Sequence, residues 1–157
     1  MNSMNGVTPS ATVELGFFLA TNLGISNEMG SLLIQCGQVK VYQKGEEIIH
    51  PGIDHADSVC VYIPLFPTKS YTVSYNKGGN NHTENRTGIR VLGVAAIHSR
   101  GQVCNRRGKV VAAEDLEVLV VNIVSLMQRC GGNLPEELVT LAQQENGRIV
   151  REGLSRT

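Results

Sequence analysis

The middle of the chain, from Val39 to Ile123, is divided into short segments in which apolar and polar residues alternate. Clusters rich in glycine, proline and polar residues separate these segments, as at Lys44–Gly45–Glu46 and Pro51–Gly52. Alternation with a period of two is typical of half-buried β-strands, and such clusters are typical of the turns between them. About six to eight short strands at this spacing predict a double-sheet jelly roll.

The predicted strands are Val39–Gln43, Glu47–His50, Ser58–Leu65, Tyr71–Tyr75, Val110–Ala113 and Leu116–Ile123. Pro64 has no N–H to donate to a strand ladder, so its end of the third strand must lie at an edge or a bulge. The polar run from Asn76 to Gly88 contains no large apolar residue, which predicts a loop between the fourth strand and the next apolar segment.

Helical spacing of apolar residues is confined to the two ends of the chain. At the front, one helix is predicted to begin at Pro9 and end at Gly24, and Ser26 is predicted to cap a second that continues to about Gln35. At the back, Val124–Cys130 is predicted to be helical, and a last helix follows Asn133. The fold class is therefore mainly β with flanking helices: an N-terminal helical segment (1–36), a β-barrel (37–123) and C-terminal helices (124–157).

The composition predicts an aliphatic core, because 41% of the residues are hydrophobic, only 4% are aromatic and there is no tryptophan. The formal net charge is zero, so no global attraction to nucleic acid or to an anionic membrane is expected. We see no signal peptide, and the apolar run Val13–Leu23 is too short to span a bilayer. We therefore expect a cytoplasmic protein.

Metal and disulfide chemistry are not favoured by the spacing of the candidate residues. The four cysteines (Cys36, Cys60, Cys104 and Cys130) include no Cys-x-x-Cys pair, which argues against a zinc site. The four histidines (His50, His55, His82 and His98) show no paired spacing either. In a cytoplasmic protein we expect reduced thiols. Cys104 lies among arginines that could lower its pKa, although a thiol without a role is the simpler interpretation.

The stretch from Gly88 to Val111 carries the most distinctive chemistry. A small-residue and apolar segment, Leu92–Ile97, is followed by a basic loop that contains Arg100, Arg106, Arg107 and Lys109. Backbone N–H groups in a tight turn, followed by arginines, are suited to holding an anion. The alternative for the same residues is an ordinary tight turn followed by solvated arginines, and this alternative is favoured for Arg107 and Lys109.

Three blocks of the chain resemble the cyclic nucleotide-binding domain family, and together they span roughly Leu32 to Arg151. The segment from Val41 to Ser58, VYQKGEEIIHPGIDHADS, is similar to the first hairpin of that family. Ala112–Val121 is similar to the last strand pair of its barrel, and the C-terminal helix to its dimerisation helix. The resemblance implies a double-stranded β-helix, or jelly-roll barrel, of the cyclic-nucleotide-binding type.

In that family a phosphate-binding cassette occupies the position of the Gly88–Val111 stretch. The resemblance places its glycine at Gly93, its alanine at Ala96 and its phosphate-binding arginine at Arg106. Val94 lies where the family has a glutamate that accepts a hydrogen bond from the ribose 2′-hydroxyl, which a valine cannot do. The implied ligand-binding residues are Gly93, Val94, Ala95, Ala96, Arg106 and Arg107.

Two functions follow as hypotheses. The first is a stand-alone regulatory module that binds a cyclic nucleotide, such as cAMP or cGMP, or another small anionic ligand. The second is a degenerate domain that acts as an interaction or dimerisation scaffold, with a homodimer formed through Leu138, Leu141 and Ile149. No catalytic set, helix-turn-helix domain or resident cofactor is indicated, so we expect neither an enzyme nor a nucleic-acid or membrane partner.

Overall fold

The computed structural model describes residues 9–54, 59–100, 102–106 and 108–152. Its helices are α1 (Pro9–Leu23), α2 (Asn27–Cys36), α3 (Ala95–His98), α4 (Ile123–Arg129) and α5 (Glu136–Glu152). Its strands are β1 (Gly37–Tyr42), β2 (Glu47–Ile49), β3 (Gly52–Asp54), β4 (Cys60–Pro64), β5 (Ser70–Lys77), β6 (Asn80–Thr87), β7 (Cys104–Arg106), β8 (Lys109–Ala112) and β9 (Leu116–Asn122). The prediction of a mainly β chain with helices at both ends is confirmed.

The described strands form three antiparallel sheets. One has the order β1-β9-β4, the second has the order β2-β8-β5-β6, and the third is the pair β3-β7. β9 is the central strand of the first sheet, and Val118, Leu119 and Val121 in it are fully buried. β4 lies at the edge of the described sheet and ends at Pro64, as the missing N–H of proline requires.

The core is aliphatic, as the composition predicts, and consists of two clusters. The larger cluster joins the helices to the first sheet and includes Leu33, Ile63 and Leu138. The smaller cluster lies between the sheets and is built around Tyr71 and Val110. Because Leu138 and Leu141 of α5 are buried in the larger cluster, these two leucines stabilise their own domain and are not exposed for a dimer.

The N-terminal and C-terminal helices are joined by hydrogen bonds between Ser26, which precedes α2, and Glu137 of α5. Ser26 caps α2, as predicted, because its hydroxyl oxygen accepts a hydrogen bond from the N–H of Met29 (3.1 Å). The Ser26 N–H and hydroxyl in turn donate to the two carboxylate oxygens of Glu137, both at 2.6 Å. These bonds hold the pKa of Glu137 below its ordinary value. None of the described helices is both long enough and apolar enough to cross a membrane.

The prediction of a loop from Asn76 to Gly88 is wrong, because most of this run is strand β6. β6 pairs with β5 in a regular register from Ser70↔Thr87 to Lys77↔Asn80. Gly78 and Gly79 form the two-residue connection and have φ angles of +60° and +85°. Two successive residues at positive φ are typical of the type I′ turn that matches the twist of a hairpin.

The strand nature of β6 was hidden because most of its residues are polar and exposed, and the residue of this strand that is buried is an arginine. Arg86 lies opposite Tyr71 and its side chain is buried, yet Glu84 pairs with it at 2.7 Å. Glu84 also accepts a hydrogen bond from the Tyr75 hydroxyl (3.1 Å), and the Tyr75 ring stacks on His82. Since buried polar groups are tolerated when they are hydrogen-bonded, this network replaces the apolar alternation by which strands are predicted.

Candidate anion-binding site

The candidate site is built around the side chain of Arg106, at the end of β7. β7 pairs with β3 in antiparallel register, with Arg106 opposite Gly52 and Cys104 opposite Asp54. Alternate residues of a strand share a face, so Arg106 and Asp54 lie diagonally across the pair on the same side. This side faces the interior, and only 2% of Arg106 is exposed. β3 and β7 were not predicted, and the pairing between them brings Asp54 to the site.

Three acceptors hold the Arg106 guanidinium in place. Nε donates to Asp54 Oδ2 at 3.0 Å, Nη1 donates to the Gly93 carbonyl oxygen at 3.1 Å, and Nη2 donates to the Cys60 carbonyl oxygen at 2.6 Å. A guanidinium has five N–H groups. Within the described part of the chain, one N–H on Nη1 and one on Nη2 therefore remain for a further acceptor. The arginine is fixed by its own protein, and its side chain is fully buried, so an anion reaches these two donors only when neighbouring groups move aside.

Gly93 is required where it is for two independent reasons. Its φ angle is +80°, a conformation that residues with a side chain rarely adopt. A Cβ atom at this position would also lie 2.6 Å from Arg106 Nη1 and 3.4 Å from Ile49 Cδ1. The glycine therefore allows the backbone to pass close to the guanidinium. The structure brings Gly93 and Arg106 into direct contact.

A two-way backbone bridge positions this turn. The N–H of Tyr62 in β4 donates to the carbonyl oxygen of Leu92 (3.0 Å), and the Leu92 N–H donates back to Tyr62 (2.8 Å). The bridge fixes the residue immediately before Gly93 against the first sheet. The position of the Gly93 carbonyl relative to Arg106 is thus set by a regular strand and not by the loop alone.

The residues after Gly93 form the short helix α3, and several of their backbone N–H groups are used in hydrogen bonds within this turn. The N–H groups of Ala96 and Ile97 donate to the carbonyl oxygens of Gly93 and Val94 (3.0 and 2.9 Å), so they are engaged within the turn. Val94 and Ala96 are buried in the larger core cluster, whereas Ala95 is half-buried. Val94 thus acts as an apolar anchor for the turn. Arg107 lies outside the described residues.

The thiols near Arg106 are not activated. Burial raises the pKa of Cys104 and of Cys60, and the positive charge of Arg106 opposes that rise without overcoming it. Cys104 is also buried. A lowered thiol pKa for Cys104 is therefore wrong, because loss of hydration outweighs the neighbouring charge. Within the described residues, no group of three potential metal-liganding side chains comes together.

Sequence reasoning identified Arg106 but missed its counter-ion. Asp54 belongs to a polar run that predicts a turn, and its importance depends on a pairing with a strand about fifty residues further along. The available signal was chemical: a buried arginine must be paired, so an acidic residue on a neighbouring segment was to be expected.

Comparison with solved structures places this architecture among known ones. The catabolite activator protein of Thermus thermophilus matches with a TM-score of 0.61 and 19% identity, over 87% of this chain and 59% of that protein. A cyclic nucleotide-binding-like protein from Brucella abortus matches with a TM-score of 0.55 and 21% identity, over 74% and 96%. The regulatory domain of Toxoplasma gondii PKA, solved with cAMP, matches with a TM-score of 0.64 and 14% identity, over 87% and 50%.

This chain thus spans little more than half of the Thermus protein and half of the Toxoplasma regulatory domain. No protein-family model matches the chain, and no curated protein matches it. The likeness to the solved structures extends over most of this chain at identities of 21% or less, and it bears out the architecture implied by the three sequence blocks. The chain has the jelly-roll fold of cyclic nucleotide-binding domains.

Proposed function

We propose that the chain is a regulatory module that binds a small anionic ligand of the cyclic nucleotide type, with Arg106 as the counter-charge. The observation that carries the proposal is the orientation of the guanidinium: three internal acceptors fix it, and two N–H groups remain. Holding an arginine in this way lowers the entropy lost when an anion binds. A neighbour with this fold, the Toxoplasma regulatory domain, was solved with cAMP, which supports the choice of ligand class.

Asp54 determines how strongly the site can hold an anion. Its carboxylate lies 3.0 Å from Arg106 Nε, and its side chain is 32% exposed. An incoming phosphate therefore meets an arginine whose charge is already partly neutralised. A ligand with a single negative charge fits this balance better than a doubly charged one, because each added charge is repelled by the same carboxylate. This charge balance favours a cyclic phosphodiester over a phosphate monoester.

Val94 sets a second limit on affinity. Its side chain is buried and apolar, so it cannot accept a hydrogen bond from a ribose 2′-hydroxyl. A ribose hydroxyl that loses its partner on binding costs about 1–3 kcal/mol. At about 1.4 kcal/mol for each tenfold change, affinity for a cyclic ribonucleotide falls by one to two orders of magnitude relative to a site with an acceptor. The module therefore recognises the phosphate and not the 2′-hydroxyl.

Calorimetry with cAMP, cGMP and 2′-deoxy-cAMP at up to millimolar concentration tests the proposal. We expect saturable binding that Arg106→Lys weakens about tenfold or more, because lysine keeps the charge but loses the planar fork of donors. Arg129→Lys is the matched control, since Arg129 is exposed and bonds only to Gln35 among the described residues. We also expect 2′-deoxy-cAMP to bind at least about tenfold more tightly than cAMP, because it has no 2′-hydroxyl to bury beside Val94 without an acceptor.

The second candidate is an interaction scaffold that binds no nucleotide. It is favoured by the internal pairing of Arg106 with Asp54, which satisfies the charge without a ligand. Absence of heat with all three nucleotides in a folded protein would favour this candidate and refute the first. Binding that is equal in the wild-type and Arg106→Lys proteins would also remove Arg106 from the site.

A further inference from the structure

A second feature, separate from the hydrogen bonds of Arg106, concerns the thiols of Cys36 and Cys130. Cys36 is the last residue of α2, and Cys130 is the capping residue that follows α4. Both are free, both are half-buried, and both pack against the larger core cluster. Each therefore combines partial access to solvent with a fixed position at the end of a helix.

The ends of the two helices are joined beside these cysteines. Arg129 Nη2 donates a hydrogen bond of 2.8 Å to Gln35 Oε1. Gln35 and Arg129 are the residues immediately before Cys36 and Cys130, so this bond draws together the two positions that carry the thiols. Helices α2 and α4 also pack against each other.

The electrostatics of Cys36 agree with this proximity. Burial raises the pKa of the Cys36 thiol, the positive charge of Arg129 opposes the rise, and negative charge on Cys130 adds to it. For Cys60 and Cys104 the charges that act are those of Arg106 and Asp54.

We propose that Cys36 and Cys130 form a reversible disulfide that joins α2 to α4. The oxidant is a low-molecular-weight disulfide of the glutathione class. One thiol of the pair, as its thiolate, attacks the glutathione disulfide, breaks its S–S bond and releases one glutathione thiolate, which takes up a proton. The thiolate of the other cysteine then attacks the protein sulfur of the mixed disulfide and releases the second glutathione thiolate, which also takes up a proton. The protein loses two electrons and two protons, and one glutathione disulfide becomes two thiols.

The bond would constrain the helical layer. It closes a loop of roughly 95 residues that contains the whole set of strands, and a loop of this length lowers the entropy of the unfolded chain substantially. Formation of the disulfide is therefore expected to raise the thermal midpoint by roughly 5–15 °C, provided that the bond adds no strain. The redox state of the pair would set how firmly α4, and α5 after it, are attached to α2.

The test is incubation of the full chain at low protein concentration in glutathione buffers of increasing oxidation, followed by peptide mass spectrometry. We expect one intramolecular link between the peptides that contain Cys36 and Cys130. In Cys36→Ser and Cys130→Ser, the remaining thiol of the pair should stop as a glutathione adduct. Cys60→Ser is the matched control and should leave the link unchanged.

Three results would overturn the proposal. One is wild-type protein that carries only glutathione adducts or free thiols in the most oxidising buffer. Another is a link that involves Cys60 or Cys104, or one that joins two chains. The third is a correctly linked protein whose thermal midpoint does not rise, because strain in the folded state would then cancel the entropy that the link removes from the unfolded chain, and the pair would not stabilise the helical layer. The wild-type measurement needs no substitution, so a variant that fails to fold does not affect the outcome.

Discussion

Replacing Arg106 by methionine removes the guanidinium but keeps a side chain of similar length. The Cys60 carbonyl oxygen, which accepts from Nη2, loses its donor, and a buried acceptor left without a partner costs about 1–3 kcal/mol. The Gly93 carbonyl oxygen loses the bond from Nη1 but keeps the bond from the Ala96 N–H, so its loss is about 1 kcal/mol. Asp54 adds little, because its side chain is 32% exposed and water can replace the arginine there. Burial of the methionine side chain returns about 1 kcal/mol, which leaves a net loss of about 2 kcal/mol in the free energy of unfolding.

Urea denaturation followed by circular dichroism measures this loss. A loss of about 2 kcal/mol lowers the thermal midpoint by about 4–8 °C in a chain of this size. The dependence of the unfolding free energy on urea should be unchanged, since the extent of the folded structure is the same. Arg129→Met is the control and should cost less than about 0.5 kcal/mol, because Arg129 is exposed. A loss below about 1 kcal/mol for Arg106→Met would refute the assignment of the three internal bonds.

Three further predictions concern other residues. Gly93→Ala should lower the free energy of unfolding by about 2 kcal/mol or more, because φ is +80° and the new Cβ would press on Arg106. Chemical denaturation measures this loss, and an unchanged free energy of unfolding would contradict the described turn. Ser26→Ala should cost about 1 kcal/mol at neutral pH through loss of the cap. Because Ser26 holds the pKa of Glu137 below its ordinary value, part of this cost exists only while Glu137 is ionised. The difference in denaturation between wild-type and Ser26→Ala proteins should therefore narrow as pH falls below about 4, and a constant difference would exclude the Glu137 bridge. Glu84→Ala should move the ionisation of Tyr75 to lower pH in an ultraviolet absorbance titration, since it removes the acceptor whose hydrogen bond is the main cause of the raised pKa of Tyr75. An unmoved titration would contradict that bond.

The parts of the fold that the sequence predicts well are those set by local chemistry. The Ser26 cap, the start of α1 at Pro9 and the edge position of Pro64 each follow from what one residue can donate, accept or allow. The long apolar strand β9 is recognised because its β-branched run is buried. In each case the signal lies within a few residues of the element that it predicts.

The parts that the sequence does not predict depend on pairing between distant segments. β3 and β7 have three residues each, which is too short for any periodicity to be visible. β6 is polar and mostly exposed, and its buried residue, Arg86, is paired with Glu84, which also accepts a hydrogen bond from Tyr75. The Gly78–Gly79 pair was the local signal for the hairpin, because two adjacent glycines between alternating segments are typical of a type I′ turn.

The candidate site contains residues that the sequence predicts and residues that only the pairing of distant segments brings together. Arg106 could be placed from the sequence because the resemblance fixes its distance from Glu114–Asp115, and Gly93 follows from the same alignment of motifs. The Asp54 carboxylate and the Cys60 carbonyl could not, since they reach Arg106 only through the β3-β7 pair and the position of β4. The counter-ion of the arginine is thus a property of the fold and not of the motif.

The most direct test of the central claim observes the guanidinium itself. The ¹H–¹⁵N signal of Arg106 Nε, assigned by its absence in Arg106→Lys, can be followed by NMR during titration with cAMP. If Arg106 is the anion counter-charge, this signal shifts saturably, with the affinity measured by calorimetry, while the signal of Arg129 stays in place. If the Arg106 signal does not move while cAMP binds, or if cAMP does not bind at millimolar concentration, the arginine serves only the internal structure.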